Sequence, residues 1–146
     1  TYIAAYRNMV DVCRSVAPDL DFMWSPLGLD GFEDYFPGDA YVDVIGLSVF
    51  GLQPWEQEIL GGEQSFREIL EPRYQRAVQF GLPIVVAELG FVGDEEYVER
   101  WTNDIRQDID GLDALIAVIY FNQTEVYPWP DGYGTPDWRF GFNVLE

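Results

Sequence analysis

Glu88 is the residue of this sequence that is best suited to chemistry. It follows the apolar run PIVVA at 83–87, which is typical of a strand buried on both faces. An ionised carboxylate at the end of such a strand is costly unless it is paired or functional. One function that fits is nucleophilic attack in glycoside hydrolysis, which uses two carboxylates about 5–5.5 Å apart when configuration is retained. The alternative is a structural glutamate that reaches water or an arginine.

Aromatic side chains are the second feature with chemical meaning. Phenylalanine, tyrosine and tryptophan make up 16% of the chain, and a surplus of rings beside acidic residues is common in carbohydrate-handling proteins. Trp55, Trp129 and Trp138 lie in predicted loops, where an indole face can stack on a sugar. We predict that these three tryptophans contact substrate. The alternative for each is packing within its own loop.

The charge composition excludes several classes of chemistry. The sequence has 26 acidic residues, eight arginines, no lysine and no histidine, which gives a formal net charge of −18. Without histidine there is no Ser-His-Asp or Cys-His catalysis and no histidine-bound metal; without lysine there is no Schiff base and no Walker-type phosphate loop. The negative charge argues against nucleic acid or an anionic membrane as partner. We expect no metal and no cofactor, and the lone Cys13 cannot form an internal disulfide.

Apolar periodicity and turn residues divide the chain into helices and strands. Ser65 followed by Glu68 is a capping-box signature, and Asp94 can cap a later helix. Pro72 is expected to kink the helix that Ser65 opens or to begin a second segment. The predicted helices cover residues 2–17, 65–80 and 94–109, and the predicted strands cover residues 21–25, 41–50, 83–88 and 115–122.

The alternation of buried strands and amphipathic helices predicts a parallel sheet with right-handed crossovers. Four strands are half of a (β/α)8 barrel, so we predict an α/β half-barrel formed by residues 1–146 as a single segment. A small doubly wound sheet is the alternative. The half-barrel is favoured because Ser48, Phe50 and Glu88 stand at the carboxyl ends of strands, where barrel enzymes have their sites; Phe50 is therefore a further predicted substrate contact. The predicted core consists of Val44, Ile45, Leu47, Ile84, Val85, Val86, Ile116, Val118 and Ile119.

Three tracts of the sequence resemble a known family. They are YFPGDAYVDVIGL at 35–47, PIVVAELG at 83–90 and AVIYFN at 117–122. Together they are similar to the C-terminal half of family 26 glycoside hydrolases, which are (β/α)8 barrels acting on β-mannans and on mixed-linkage or related β-glucans. The resemblance covers nearly the whole chain and implies that its strands are the fifth to eighth of the barrel.

The resemblance assigns roles to individual residues. Glu88 stands where the family has the nucleophile on its seventh strand. Trp24 and Tyr120 stand where such barrels line the sugar cleft. The acid/base glutamate of the family lies near the end of the fourth strand, upstream of this chain. Ser48 and Phe50 occupy places where the family often has an aspartate and a tyrosine, and Phe50 cannot donate a hydrogen bond to the nucleophile as that tyrosine does.

These observations lead to three functional hypotheses. The first is a part of a retaining glycoside hydrolase that cleaves a β-linked polysaccharide, inactive as a segment alone because it supplies one carboxylate, Glu88. The second is a degenerate module that binds glycan without cutting it, which the residues at 48 and 50 favour. The third is a structural half-barrel that pairs with a missing N-terminal half or with a second copy. The family resemblance favours a secreted or periplasmic location, and no membrane contact by this segment is expected.

The strand order leads to a geometric prediction. Consecutive strands of a right-handed βα succession lie side by side, so their carboxyl ends share one rim. We expect Glu88, Trp24 and Tyr120 to converge there on one face of the sheet. A shift of one residue in register would turn Glu88 away from Trp24.

Overall fold

The computed structural model describes residues 1–107 and 109–145. Its main elements follow the predicted order of helix, strand, strand, helix, strand, helix and strand. Short helical turns cover Phe32–Tyr35, Gln53–Trp55, Glu56–Leu60, Val78–Phe80 and Pro130–Gly132. The main elements are α1 (Tyr2–Val16), β1 (Met23–Trp24), β2 (Val44–Leu52), α2 (Phe66–Ala77), β3 (Ile84–Val92), α3 (Glu95–Gln107) and β4 (Leu115–Tyr120).

The four strands form one parallel sheet in the order β1-β2-β3-β4. This consecutive order confirms the predicted half-barrel, because a doubly wound sheet reverses its strand order part-way across. Among the described residues, no helix is both long and apolar enough to cross a membrane.

The helix ends follow the predicted chemistry. The Ser65 hydroxyl accepts the backbone N–H of Glu68, and the Glu68 carboxylate accepts the backbone N–H of Ser65, which completes the capping box of α2. Asp94 caps α3 by accepting the N–H of Tyr97. Helix α2 continues through Pro72. Helix α3 ends at Gln107, and residue 108 of the predicted helix lies outside the described residues.

Two strands extend beyond their predicted ends and two stop short of them. Strand β4 ends at Tyr120, two residues before its predicted end. Strands β2 and β3 continue to Leu52 and Val92, because alternating small and apolar residues let both faces stay buried. Strand β1 has two residues. The N–H of Phe22 before it donates to the Asp43 side chain at 2.8 Å, and Pro26 after it has no N–H to donate to a neighbouring strand.

The main core lies between the sheet and the helices. Side chains from alternate positions of β2 and β3 pack there against α2 and α3. Of the predicted core residues, five are buried, and Val44 and Val118 are partly buried. Those five are Ile45, Leu47, Ile84, Val85 and Val86.

The predicted burial of Ile116 and Ile119 is wrong. Their side chains are 63% and 50% exposed. Strand β4 is the last strand of the sheet, so its outer side has no neighbour in the part of the chain that the structure describes. Parallel strands are buried on both faces when neighbouring elements cover them. Because β4 is an edge strand here, Ile116 and Ile119 stay accessible.

Candidate active site at the carboxyl ends of the strands

Glu88 is aimed by an irregularity in the pairing of β2 with β3. Leu47 pairs with Val86, but the next residue, Ser48, pairs with Glu88, so that Ala87 is an extra residue in β3. A bulge of this kind redirects the side chains around it. It brings Glu88 to the same face as Ser48, and the Ser48 hydroxyl donates a hydrogen bond of 2.8 Å to Glu88 Oε2.

Ser48 is itself held by its backbone. Its N–H donates to the carbonyl of Leu27 in the segment after β1, and its carbonyl accepts a hydrogen bond from Arg73 Nη1 on α2. The residue is almost completely buried. Ser48 therefore presents its hydroxyl to Glu88 from a backbone fixed on both sides.

The face that bears Glu88 is opposite the helices. Small residues allow close approach there: a side chain at Gly46 would meet Ser25 and Ala87, and one at Gly90 would meet the Phe50 ring. Ser25, rather than its neighbour in β1, thus belongs to the face of Glu88.

A cleft of about 570 Å³ opens beside Ser48. Phe50 lies within it, and its ring packs edge-on against Trp129 at 6.3 Å between centroids. Trp55 also packs edge-on against Trp129, with 6.2 Å between the ring centroids, and its indole N–H donates to Asp131 at 2.9 Å. The predicted contacts Phe50, Trp55 and Trp129 therefore share one cleft, and each is partly exposed. Its lining consists of Leu27, Leu29, Ser48, Phe50, Trp55, Glu56, Leu60, Gln64, Ile69, Arg73, Glu125, Trp129 and Pro130.

Trp138 does not line the cleft and packs behind the residues that do. Its side chain is fully buried among Leu52, Val92 and the ring of Phe50, and its indole N–H donates to Glu125 at 3.3 Å. The predicted contact between Trp138 and a sugar is wrong, because no part of the ring is accessible.

The predicted role of Trp24 in the cleft is also wrong. Trp24 pairs with Ile45 and shares its face, which belongs to the helices. Its ring is fully buried and packs against Phe32, Phe36 and Phe80.

Tyr120 does not join Glu88 either. It pairs with Leu89, the residue after Glu88, and successive residues of a strand point to opposite faces. Its ring packs against Phe91 and Phe140, and its hydroxyl donates to the Trp138 carbonyl; burial raises its pKa to about 12. The expected convergence of Glu88, Trp24 and Tyr120 is therefore wrong.

Among the polar side chains of the cleft that were not identified from the sequence, Glu56 and Arg73 have shifted pKa values. Glu56 is almost completely buried, where it accepts hydrogen bonds from the Tyr97 hydroxyl and the Gln64 N–H, both at 3.0 Å. Burial raises the pKa of Glu56 and, with the nearby Glu56 carboxyl, that of Tyr97. Arg73 is the second, and burial lowers its pKa. In sequence, both look like solvated charges of a loop and a helix, so no signal singled them out.

The charged and polar side-chain groups that line the cleft are two carboxyl groups, one hydroxyl, one amide and one guanidinium. They belong to Glu56, Glu125, Ser48, Gln64 and Arg73. Within residues 1–107 and 109–145, no group of three cysteine, aspartate or glutamate side chains is arranged to hold a metal ion.

Solved structures of several mannanases have the same fold. Bacillus subtilis mannanase superimposes with a TM-score of 0.56 over 98% of this chain and 35% of its own, at 18% identity. The catalytic domain of the GH26 endo-β-1,4-mannanase of Bacillus sp. JAMB-750 gives 0.56 over 82% of this chain and 34% of its own, at 21% identity. A modular family 26 endo-β-1,4-mannanase of Cellulomonas fimi gives 0.56 over 83% and 29%, at 20% identity. The chain has the fold of part of a family 26 glycoside hydrolase barrel.

A curated protein is related in sequence as well. Endoglucanase H of Acetivibrio thermocellus is 25% identical over 140 residues, which covers 88% of this chain and 15% of that protein. The chain thus spans about a seventh of that relative and about a third of the solved mannanases. No protein-family model matches the chain.

Proposed function

We propose that this chain is part of a retaining glycoside hydrolase that cleaves a β-linked polysaccharide, with Glu88 as the nucleophile. The observation that supports it best is the hydrogen bond between Ser48 and Glu88 Oε2. It fixes a carboxylate in the middle of β3, on the face of the sheet opposite the helices and beside Ser48, which lines the aromatic cleft. The strand ends that follow on this face are where barrel enzymes have their sites.

The hydrogen bond leaves half of the carboxylate for chemistry. Oε2 accepts from Ser48, and Oε1 has no hydrogen-bond partner among the described residues. In the proposed reaction Oε1 attacks the anomeric carbon and forms a glycosyl-enzyme, while a second carboxylic acid protonates the leaving oxygen. The same second carboxylate then takes a proton from the water that releases the sugar.

The second carboxylate is proposed to come from an N-terminal half-barrel beside β1 and β4. Both strands are at the edges of the sheet, and exposed apolar side chains, Met23 on β1 and Ile116 and Ile119 on β4, stand there. The resemblance to family 26 favours an acid/base glutamate in that half. A second copy of this chain is the other candidate partner.

The substrate is proposed to be a β-mannan or a β-glucan. The solved structures that share this fold include mannanases, and the curated protein with a similar sequence is an endoglucanase. In the cleft, Trp55 and Trp129 offer ring faces of the kind on which sugars stack, close to Ser48 and hence to Glu88.

The nucleophile can be tested by replacing it. In the full-length protein that contains this chain, Glu88→Ala should abolish hydrolysis of β-mannan and β-glucan. Sodium azide should then restore cleavage of an activated aryl β-glycoside and give the α-glycosyl azide, since azide can reach the anomeric carbon from the face that the carboxylate occupied. The exposed Glu99→Ala on α3 is the matched control and should retain full activity.

Several results would contradict the assignment. Azide product of β configuration, or hydrolysis by Glu88→Ala at the unchanged rate, would exclude Glu88 as the nucleophile. Hydrolysis by the 146-residue chain alone would contradict the proposal that another segment supplies the second carboxylate.

A glycan-binding module without catalysis is the second candidate, and Phe50 favours it. Its ring packs against Phe121, Trp129 and Trp138 and has no hydroxyl to offer Glu88. A module of this kind would bind oligosaccharide equally well as wild type and as Glu88→Gln, and the full-length protein would show no hydrolysis in either form.

A further inference from the structure

We infer that Arg73 gives the cleft a preference for glycans that carry a carboxylate, that is, for β-linked chains containing uronic acid units. This inference rests on the proposed glycan-binding function of the same cleft and adds the charge of its ligand. It concerns a residue that neither the sequence motifs nor the proposed reaction uses.

The first argument is that Arg73 has no acidic partner in the described part of the chain. Acidic side chains outnumber arginines by 26 to eight, and ion pairs hold five arginines: Arg14, Arg67, Arg76, Arg100 and Arg139. Across the described ranges, no carboxylate lies within 4.0 Å of the Arg73 guanidinium. Its partner there is the Ser48 carbonyl, which Nη1 contacts.

The second argument is that this guanidinium is partly withdrawn from water. Burial lowers the pKa of Arg73, and the neighbouring Arg76 adds to the effect. A buried charge without a counter-ion is unfavourable, so an anion that enters the cleft would relieve a cost already present in the free protein.

The third argument is the position of Arg73. It lines the cleft that contains Trp55 and Trp129, and it also lines an adjoining surface cavity of about 540 Å³. A sugar ring can therefore stack on an indole while a carboxylate on the same or the next sugar reaches the guanidinium. The planar guanidinium presents several N–H groups in a fork that matches a carboxylate.

Two acidic residues in the cleft do not neutralise Arg73. Glu56 is engaged by the Tyr97 hydroxyl and the Gln64 N–H, and its burial favours the uncharged form. The Glu125 carboxylate accepts the N–H of its neighbour Val126 and the indole N–H of Trp138. Both are held by donors other than Arg73, so among the described residues that line the cleft the Arg73 guanidinium is the cation available to a ligand.

The experiment compares two ligands that differ only in the group at C6, which is neutral in one and carries a charge in the other. The probes are a β-1,4-linked gluco-oligosaccharide and the same oligosaccharide oxidised at C6 to glucuronosyl units, with affinities measured by calorimetry at low and at high salt. We expect the oxidised form to bind the wild-type protein roughly tenfold more tightly, which corresponds to about 1.4 kcal/mol. The preference should shrink as salt rises, since salt screens charge interactions at a partly exposed site.

Variants test whether Arg73 is the source of the preference. Arg73→Gln should bind both probes equally, and Arg73→Lys should retain part of the preference because it keeps the charge but not the fork. Arg106→Gln is the matched control: it removes the same charge from an exposed position on α3 and should leave the preference unchanged. Circular dichroism checks that each variant is folded.

The outcomes separate this inference from the function on which it rests. If wild type binds both probes with equal affinity, or if Arg73→Gln keeps the preference, the inference is refuted and the proposed function stands. If wild type binds neither probe, the glycan-binding function fails as well. The comparison of the two probes on wild type needs no variant, so a misfolded variant cannot hide the answer.

Discussion

Replacing Tyr97 by phenylalanine should destabilise the protein through Glu56, a residue in a different element. The Tyr97 hydroxyl donates a 3.0 Å hydrogen bond to Glu56, and both side chains are buried. Tyr97→Phe removes this donor, so one oxygen of the buried Glu56 carboxyl loses its hydrogen bond. The aromatic ring stays in the core beside Trp101.

The size of the effect follows from this geometry. Removing one partner of a buried hydrogen bond costs about 1–3 kcal/mol, and more when the remaining group is charged. For a chain of this length each kcal/mol lowers the melting temperature by about 2–4 °C. We therefore expect Tyr97→Phe to lower the melting temperature by roughly 4–8 °C for a loss of about 2 kcal/mol.

The dependence on pH gives the test a sign. Burial raises the pKa of Glu56 in the folded state, whereas the Tyr97 hydroxyl and the Gln64 N–H lower it. A raised pKa stabilises the fold below the unfolded-state value, and this contribution is lost as pH rises through the folded-state value. Tyr97→Phe removes a donor that favours the charged form, so its cost should be larger in mildly alkaline than in mildly acidic buffer.

The assay is urea unfolding of the purified chain followed by tryptophan fluorescence, at several pH values. Tyr127→Phe is the matched control, because the Tyr127 side chain is exposed and no hydrogen bond of its hydroxyl is found in the described part of the chain. The reasoning is refuted if Tyr97→Phe unfolds at the same urea concentration as Tyr127→Phe, or if its cost does not grow with pH.

Three further predictions concern single features. Ser65→Ala removes the cap of α2 and should cost about 1 kcal/mol in urea unfolding; an unchanged midpoint would contradict the capping role. Gly51→Ala should unfold the chain or cost more than about 3 kcal/mol, since a Cβ there collides with Trp101 and Tyr97, and a native-like melting curve would contradict that packing. The hydrogen bond from Arg139 holds the pKa of Asp137 at about 2, so Arg139→Gln should raise that pKa in an NMR titration. The variant should lose stability relative to wild type near neutral pH, and this loss should vanish as the pH falls towards the folded-state pKa; no change would contradict the pair.

The strands and their order were predictable because each strand is a continuous apolar run. Two of these runs are PIVVA and LIAVIY. Neither has a helical period, and both are bounded by polar or glycine-containing segments, so a buried parallel strand is predicted for each. Ser65 and Asp94 marked two helix starts by their own capping chemistry. These are local properties, and the sequence displays them directly.

The facing of side chains was not predictable in the same way. Trp24 and Ser25 are adjacent, and the choice of which one faces Glu88 depends on pairing with β2. The bulge at Ala87 shifts the pairing of Glu88 with β2 by one residue relative to a regular strand. No residue type in the sequence predicts this bulge. The burial of Glu56 and of Arg73 depends on segments that are distant in sequence. It is a property of the folded chain, so the sequence could not show that these two residues differ from solvated charges.

The exposed edge of β4 affects how the chain behaves in concentrated solution. A parallel edge strand with the aliphatic side chains of Ile116 and Ile119 accessible is a surface on which another strand can add. The net charge of −18 opposes this by making chains repel one another at long range. Because the Debye length shrinks from about 10 Å at 0.1 M salt to about 3 Å at 1 M, added salt removes the repulsion and leaves the edge. Ionic strength thus controls the aggregation of the isolated chain, and it should be kept low during purification and storage of that chain.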